Sequence, residues 1–346
     1  MRDPRLSLST SAIKRRAEIS CVSSRAGNVI STSTFILAAI AFAFAWSMGA
    51  HYTGACMGMP YASGSIRLRP ALLLMALMTL LGASFLSHGV LEQVGHGIVS
   101  GRLGMSGAIT VIAVAFLLTT LFTQLRIPTS TIQILVFCLI GAAARLGLGI
   151  RWRSIYVLVV LWVLAPLVSC VLGYVMTRIF DRIRRFVGDG MAPVISRLLV
   201  IVGAVASVAM GANDVSNATA VFLSIHMAGP LFAGVLGGFG LALGVLTWGR
   251  PLLERVAFDV VRMDRVMATA AQSVQALVVL LAVSFGYFTS MNQALIGAMA
   301  GTGLARGRQT IQTKQVFGIL RGWLIGPAAG FFITYLSVWA IVAVSG

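Results

Sequence analysis

Gly211-Ala-Asn-Asp-Val-Ser-Asn-Ala218 sets a carboxylate, Asp214, between two apolar runs, Val194–Met210 and Leu231–Leu246. The other acids lie near the N-terminus (Asp3, Glu18) or in breaks between apolar runs (Glu92, Asp181, Asp189, Glu254, Asp259, Asp264). A charge held at the centre of a bilayer costs at least about 2.5–3.5 kcal/mol, so it needs a partner or a cavity. Asn213, Asp214, Ser216 and Asn217 supply hard oxygen ligands beside small residues that let backbone approach closely. That chemistry suits Na⁺ coordination or proton exchange. The plainer reading is a structural hydrogen bond that locks a helix break.

Around this segment the chain is written for lipid. Of 346 residues, 58% are hydrophobic and only 10% charged, where a soluble domain carries about 25% charged residues. Further apolar runs cover Thr34–Met48, Ala71–Leu86, Gly107–Leu125, Ile155–Met176, Val266–Tyr287 and Val316–Val344. Each is near the roughly 20 residues that cross a bilayer as a helix. The expected fold class is therefore all-α, a polytopic membrane protein, which excludes a soluble enzyme. The net charge of +17 needs no nucleic-acid partner, because excess arginine and lysine gather in cytoplasmic loops. Cys21, Cys56, Cys138 and Cys170 have no ligand-like spacing, so neither a disulfide framework nor a resident metal is expected.

The segment is also one half of a repeat. Met48-Gly49-Ala50 recurs as Met210-Gly211-Ala212, an offset of 162 residues (211 − 49), and Thr129-Ser130-x-x-Gln133 recurs as Thr289-Ser290-x-x-Gln293, an offset of 160 (290 − 130). The chain divides into a basic tail over 1–28, disordered or a start-site artefact, a first transmembrane repeat over 29–177, a basic connecting loop over 178–192 and a second repeat over 193–346. Four segments rich in small residues, 49–66, 127–149, 211–229 and 288–303, are too interrupted for ordinary lipid-facing helices. Paired broken segments at matching places in two halves point to a transporter binding site.

Thr129, Ser130, Thr131 and Gln133 follow Pro128, and Thr289, Ser290, Asn292 and Gln293 follow Phe288. Pro128 favours a helix start, placing Thr129 and Ser130 in a first turn whose N–H groups are unpaired. Hydroxyls at a helix N-terminus make an oxyanion site, and two such ends facing one another would surround a tetrahedral oxyanion. Alternatively, serine and threonine simply glue helices together at close contacts. His51 and Tyr52 stand where the second half has Asn213 and Asp214. His51 either titrates in a proton-coupled cycle or packs as a neutral hydrogen-bonding group.

These motifs carry a resemblance. Gly211–Ala218 closely resembles the GANDVANA signature of the PiT family of inorganic phosphate transporters. Leu241-Ala-Leu-Gly-Val-Leu-Thr-Trp-Gly249 looks like that family's region after the signature. Phe288-Thr-Ser-Met-Asn-Gln293 through Gly303-Leu-Ala-Arg-Gly307 looks like its P-x-S-T-T-H…G-x-G-L-A-R-G segment. The resemblance runs from Thr34 to Val344. It implies a secondary carrier of two inverted repeats in the cell membrane, moving phosphate with Na⁺ or H⁺. Asn213 and Asp214 then fall on the cation-and-substrate motif, Thr289 and Ser290 on the second-half hydroxyl motif, and Thr129, Ser130 and Thr131 on its first-half equivalent.

Two departures bear on substrate and coupling. The first-half signature reads Gly49-Ala-His-Tyr-Thr-Gly-Ala-Cys56, without carboxylate or Asn, and Gln293 replaces the family's histidine. Gly49, Ala50, Ala55, Met57, Gly58, Tyr61, Ser63 and Gly64 are similar to the sulfate-permease branch of the superfamily. Phosphate at neutral pH donates a proton to a carboxylate and sulfate cannot, so Asp214 favours phosphate while the lost counterpart favours sulfate. One acid fewer also implies fewer coupled cations, or protons. The expected partners are the anion and the lipid bilayer, with a homo-oligomer left open. A passive anion channel and a non-transporting membrane protein are the readings from other classes.

Overall fold

The computed structural model describes residues 32–101, 103–127, 129–224, 229–259, 263–307 and 313–345. Its elements are α1 (Thr32–His51), α2 (Thr53–Ala62), α3 (Leu68–Phe85), α4 (His88–His96), β1 (Val99–Ser100), α5 (Met105–Gln124), α6 (Thr131–Leu146), β2 (Gly149–Ile150), α7 (Trp152–Val187), α8 (Met191–Ser224), α9 (Pro230–Trp248), α10 (Arg250–Asp259), α11 (Arg265–Ser284), α12 (Met291–Arg306) and α13 (Thr313–Ser345). β1 and β2 form a two-residue antiparallel ladder, Val99 opposite Ile150. Eight helical stretches are long and apolar enough to cross a membrane, α1 and α2 counting as one span over Thr32–Ala62. They fall on the eight apolar runs of the sequence. The side chains they leave exposed, such as Leu77, Leu117, Val163 and Leu243, are apolar because lipid, not water, covers them. The protein is a multi-pass membrane protein.

The halves match element for element: α1–α2 with α8, α3 with α9, α4 with α10, α5 with α11, α6 with α12 and α7 with α13. Glycine contacts show how they interlock. A Cβ on Gly49 would strike the Leu241 carbonyl, and one on Gly211 would strike the Thr79 carbonyl; both pairs are related by 162 residues (211 − 49, 241 − 79). Likewise Gly82 meets the backbone of Val208 and Gly244 that of Trp46, again 162 apart (244 − 82, 208 − 46). The first repeat therefore packs into the second as the second packs into the first. The same exchange recurs where α12 lies on α7, through Gly297 against Pro166, and α6 on α13, through Gly141 against Phe331. Small residues let backbones approach where lipid supplies no hydrophobic drive.

Direction follows from the same contacts. Gly234 of α9 meets Ala83 of α3, and Gly238 meets Leu80, so α9 runs antiparallel to its own counterpart. The ring of Phe42 lies 6.4 Å from that of Phe239, and Trp46 stacks on Trp248 at 5.2 Å, so α1 runs parallel to α9. The repeats are inverted. Arg265 donates to the Ser63 carbonyl and Arg306 pairs with Asp181 and Asp264. These contacts gather the α2–α3 turn, the end of α7 and the start of α11 on one face. That face carries Arg67, Arg69, Arg178, Arg182, Arg184 and Arg185.

Three expectations need correction. The stretch after Met210 does not break as its small residues suggest: α8 is a continuous helix of 34 residues through Ser224, and Gly211 provides close packing against α3, not unwinding. Residues 49–66 depart from helix only around Tyr52, whose N–H still bonds the Met48 carbonyl at 3.1 Å, and in the turn after Ala62. The breaks at Ile127, Thr129 and Ser130 and at 287–290 do exist, each followed by a helix of 16 residues. The connecting loop expected over 178–192 is helical as far as Val187, with a single turn at Gly188–Gly190 where Gly188 takes φ 70°. The basic tail over 1–28 and Pro128 lie outside the described residues.

Candidate functional site

Thr289 and Ser290 lie in the break before α12, and Thr129 and Ser130 in the break before α6. Ser290 and Ser130 are the N-cap residues, so Thr131 and Met291 open the helices. The threonines thus precede the first turn instead of lying in it. The Ser290 hydroxyl accepts the Gln293 N–H at 3.4 Å. Between these two ends pass α8, carrying Asn213, Asp214 and Asn217, and the junction of α1 and α2, carrying His51 and Tyr52. None of the candidate residues is more than 6% exposed.

Asn213 clasps the backbone of Thr289: its amide oxygen accepts the Thr289 N–H at 3.0 Å and its amide donates to the Thr289 carbonyl at 2.9 Å. It also donates to Asp214 at 3.1 Å. Asn217 donates to the other Asp214 oxygen at 3.3 Å and to the Thr131 hydroxyl at 3.1 Å. The Tyr52 hydroxyl lies 2.8 Å from that of Thr131 and also faces Asp214. The acid therefore meets amide and phenol donors but no ion-pair partner among the described residues.

His51 repeats the Asn213 clasp in the first half. Its Nε2 lies 3.2 Å from the Thr129 nitrogen and 3.3 Å from the Thr129 carbonyl oxygen, its Nδ1 lies 2.9 Å from the Thr123 hydroxyl, and Thr123 donates onward to the Thr119 carbonyl. Both ring nitrogens of His51 thus have partners in the first half. Asn292 crosses between halves, donating to the Thr129 carbonyl at 2.7 Å. Gln133 and Gln293 pair amide to amide, at 3.3 and 3.2 Å. Each satisfies the other, so neither amide is free to meet an anion in this conformation. Ser216 turns away and donates to the Asn213 carbonyl of its own helix.

The buried atoms without a partner here include the Ser130 hydroxyl, the Thr289 hydroxyl and the amide oxygen of Asn217. Two hydroxyls able to donate and an oxygen able only to accept are what an oxyanion and a cation would respectively meet. Gln272 and Gln275 of α11 also reach this region and were not singled out from the sequence. Gln272 donates to the Ala55 carbonyl at 2.9 Å and to Gln275, which donates to the Met291 carbonyl at 3.4 Å. They tie the first turn of α2 to the start of α12. Two amides inside the run Val266–Tyr287 were the available signal.

The profile of the Phosphate transporter family matches residues 48–334. The chain belongs to this family. Its relatives include a Methanocaldococcus jannaschii protein named as a phosphate permease, 24% identical over 300 residues covering 86% of this chain and 94% of that protein. They also include the Bacillus subtilis sulfate permease CysP, 28% identical over 317 residues and 87% of each chain. A solved structure described as the sodium-dependent phosphate transporter superposes with a TM-score of 0.83 at 21% identity, over 90% of this chain and 100% of that one. The family fold thus extends over nearly all of the chain, from both breaks to both clasps.

Proposed function

We propose that the chain is a secondary active transporter of a tetrahedral inorganic oxyanion in the cell membrane, phosphate in the first instance, with Na⁺ or H⁺ as the coupling ion. The observation that carries this reading is the buried Asp214 carboxylate, which has no cationic partner among the described residues. An uncompensated charge at membrane depth is costly by several kcal/mol. A co-transported cation or proton removes that cost, and Asp214 with the free Asn217 oxygen offers it hard ligands. The Ser130 and Thr289 hydroxyls, Thr129 and the N-terminal ends of α6 and α12 would hold the anion beside it. The coupling is mutual: a cation at Asp214 favours the anion, and the anion favours the cation. The family and the sodium-dependent structural neighbour support Na⁺, while the missing first-half carboxylate supports one coupling ion fewer or H⁺.

Sulfate is the second reading. Tyr52 occupies the position of the missing acid, so the first half presents the anion with a neutral hydroxyl, and the relatives include a sulfate permease. Uptake of labelled phosphate and of labelled sulfate into proteoliposomes, under separate Na⁺ and H⁺ gradients, tests both. Concentrative uptake of one anion, lost or made gradient-independent in Asp214→Asn, is the expected result. Unchanged uptake and ion dependence in Asp214→Asn would overturn the role of the carboxylate. Equilibration without accumulation would make the protein a channel.

A further inference from the structure

The site is closed, and a cavity of about 330 Å³ lies next to it on the face opposite the arginine-rich one. Its walls come from α4, α5, α6 and α8, and Arg151, at the start of α7, stands at its rim. That volume falls in the usual range for ligand sites, about 300–1,000 Å³. Two lining residues locate its floor. Leu135 is one helical turn beyond Thr131, and Val221 one turn beyond Asn217. Thr131 and Asn217 hydrogen-bond to each other at 3.1 Å, so the next turn of each helix lies above that bond. Leu135 and Val221 thus stand between the cavity and the site.

We propose that this cavity is the outer access vestibule for the transported oxyanion, with Arg151 as its first contact and the Leu135–Val221 layer as the barrier that parts to admit it. The inference rests on the transport reading above. The excess of arginine on the opposite face places that face inside the cell and this one outside. The Arg151 side chain is exposed and has no ion pair among the described residues; Glu92, the acid of the adjoining crevice, turns to His88 at 3.4 Å. The Arg151 N–H is bonded to the Ile98 carbonyl at 3.0 Å, which fixes the backbone of the rim. A guanidinium presents paired donors to a tetrahedral oxyanion. In a cleft with apolar walls, such a charge raises the local concentration of the anion.

The test uses the full chain. Uptake is measured against anion concentration for wild type, Arg151→Gln and Arg151→Lys. Arg151→Gln raises KM about fivefold or more while the maximal rate stays within about twofold, Arg151→Lys restores most of the loss, and the gap narrows at high salt. Separately, Leu135→Cys, in a background lacking the native cysteines, is labelled by a membrane-impermeant thiol reagent from outside the cell, and the transported anion slows labelling. A KM unchanged in Arg151→Gln, or Leu135→Cys labelled only from inside or only by lipid-soluble reagents, overturns the vestibule; the second outcome makes the cavity a lipid-filled crevice. Wild-type vesicles that take up neither anion overturn the transport reading itself.

Discussion

Asn213 uses both ends of its amide on the backbone of Thr289, and His51, its counterpart by the repeat, uses one ring nitrogen on the backbone N–H of Thr129. In both halves the residue before the Asp/Tyr position thus holds the unwound chain ahead of a helix. The role survives a change of side chain because it needs only an acceptor at the right height. This gives a prediction. Asn213→Ala leaves a buried N–H and C=O of Thr289 unpaired, which costs about 1–3 kcal/mol; the purified protein should unfold at lower temperature and lose uptake. His51→Asn supplies the acceptor used in the second half and should retain folding and transport, whereas His51→Leu should behave like Asn213→Ala. Equal activity in His51→Leu and wild type would remove the clasp from the account. Asp214 was legible from the sequence because a lone acid among apolar residues needs no structure to be conspicuous. The Gln133–Gln293 pairing was not, because it joins residues 160 positions apart (293 − 133) through a two-fold relation that spacing alone does not reveal.

At the scale of elements, segments rich in small residues do two different things. At Gly211 and Gly49 they let one helix press against the backbone of another; in the stretches before Thr131 and Met291 the chain leaves the helix altogether. All four segments look alike in the sequence, since small residues serve both close helix packing and a broken helix, and only the packed neighbour decides between them. The two uses separate on substitution. Gly49→Ala and Gly211→Ala each force a methyl group into a carbonyl of the other repeat and should each destabilise by about 1–3 kcal/mol. Gly104→Ala, at a helix start with nothing within 4 Å of the added carbon, should change stability by no more than about 0.5 kcal/mol. Thermal unfolding in one detergent, with the three variants side by side, measures this. The breaks that did form are legible afterwards in their caps: Ser130 and Ser290 are the residues expected ahead of a first turn.

For the molecule as a whole, the exchange of partners between repeats sets what can move. α6 is packed on α13 and α12 on α7, so each short helix travels with the last helix of the other repeat. Pro166 in α7 and Pro327 in α13 stand 161 residues apart (327 − 166), and each removes a helix hydrogen bond within these long helices. Alternating access requires the two short helices to part on one side of the anion and then on the other. The amide pair of Gln133 and Gln293 joins α6 directly to α12. It ties the two short helices together in this conformation, so parting them breaks it. Gln133→Cys/Gln293→Cys, in a background lacking the native cysteines, should therefore transport when reduced and stop when the two thiols are joined by a disulfide or a short bifunctional linker. Reductant should restore the disulfide-linked protein. Transport that continues at the wild-type rate after complete cross-linking would show that α6 and α12 move as one body, and the opening would then have to lie between this pair and α8.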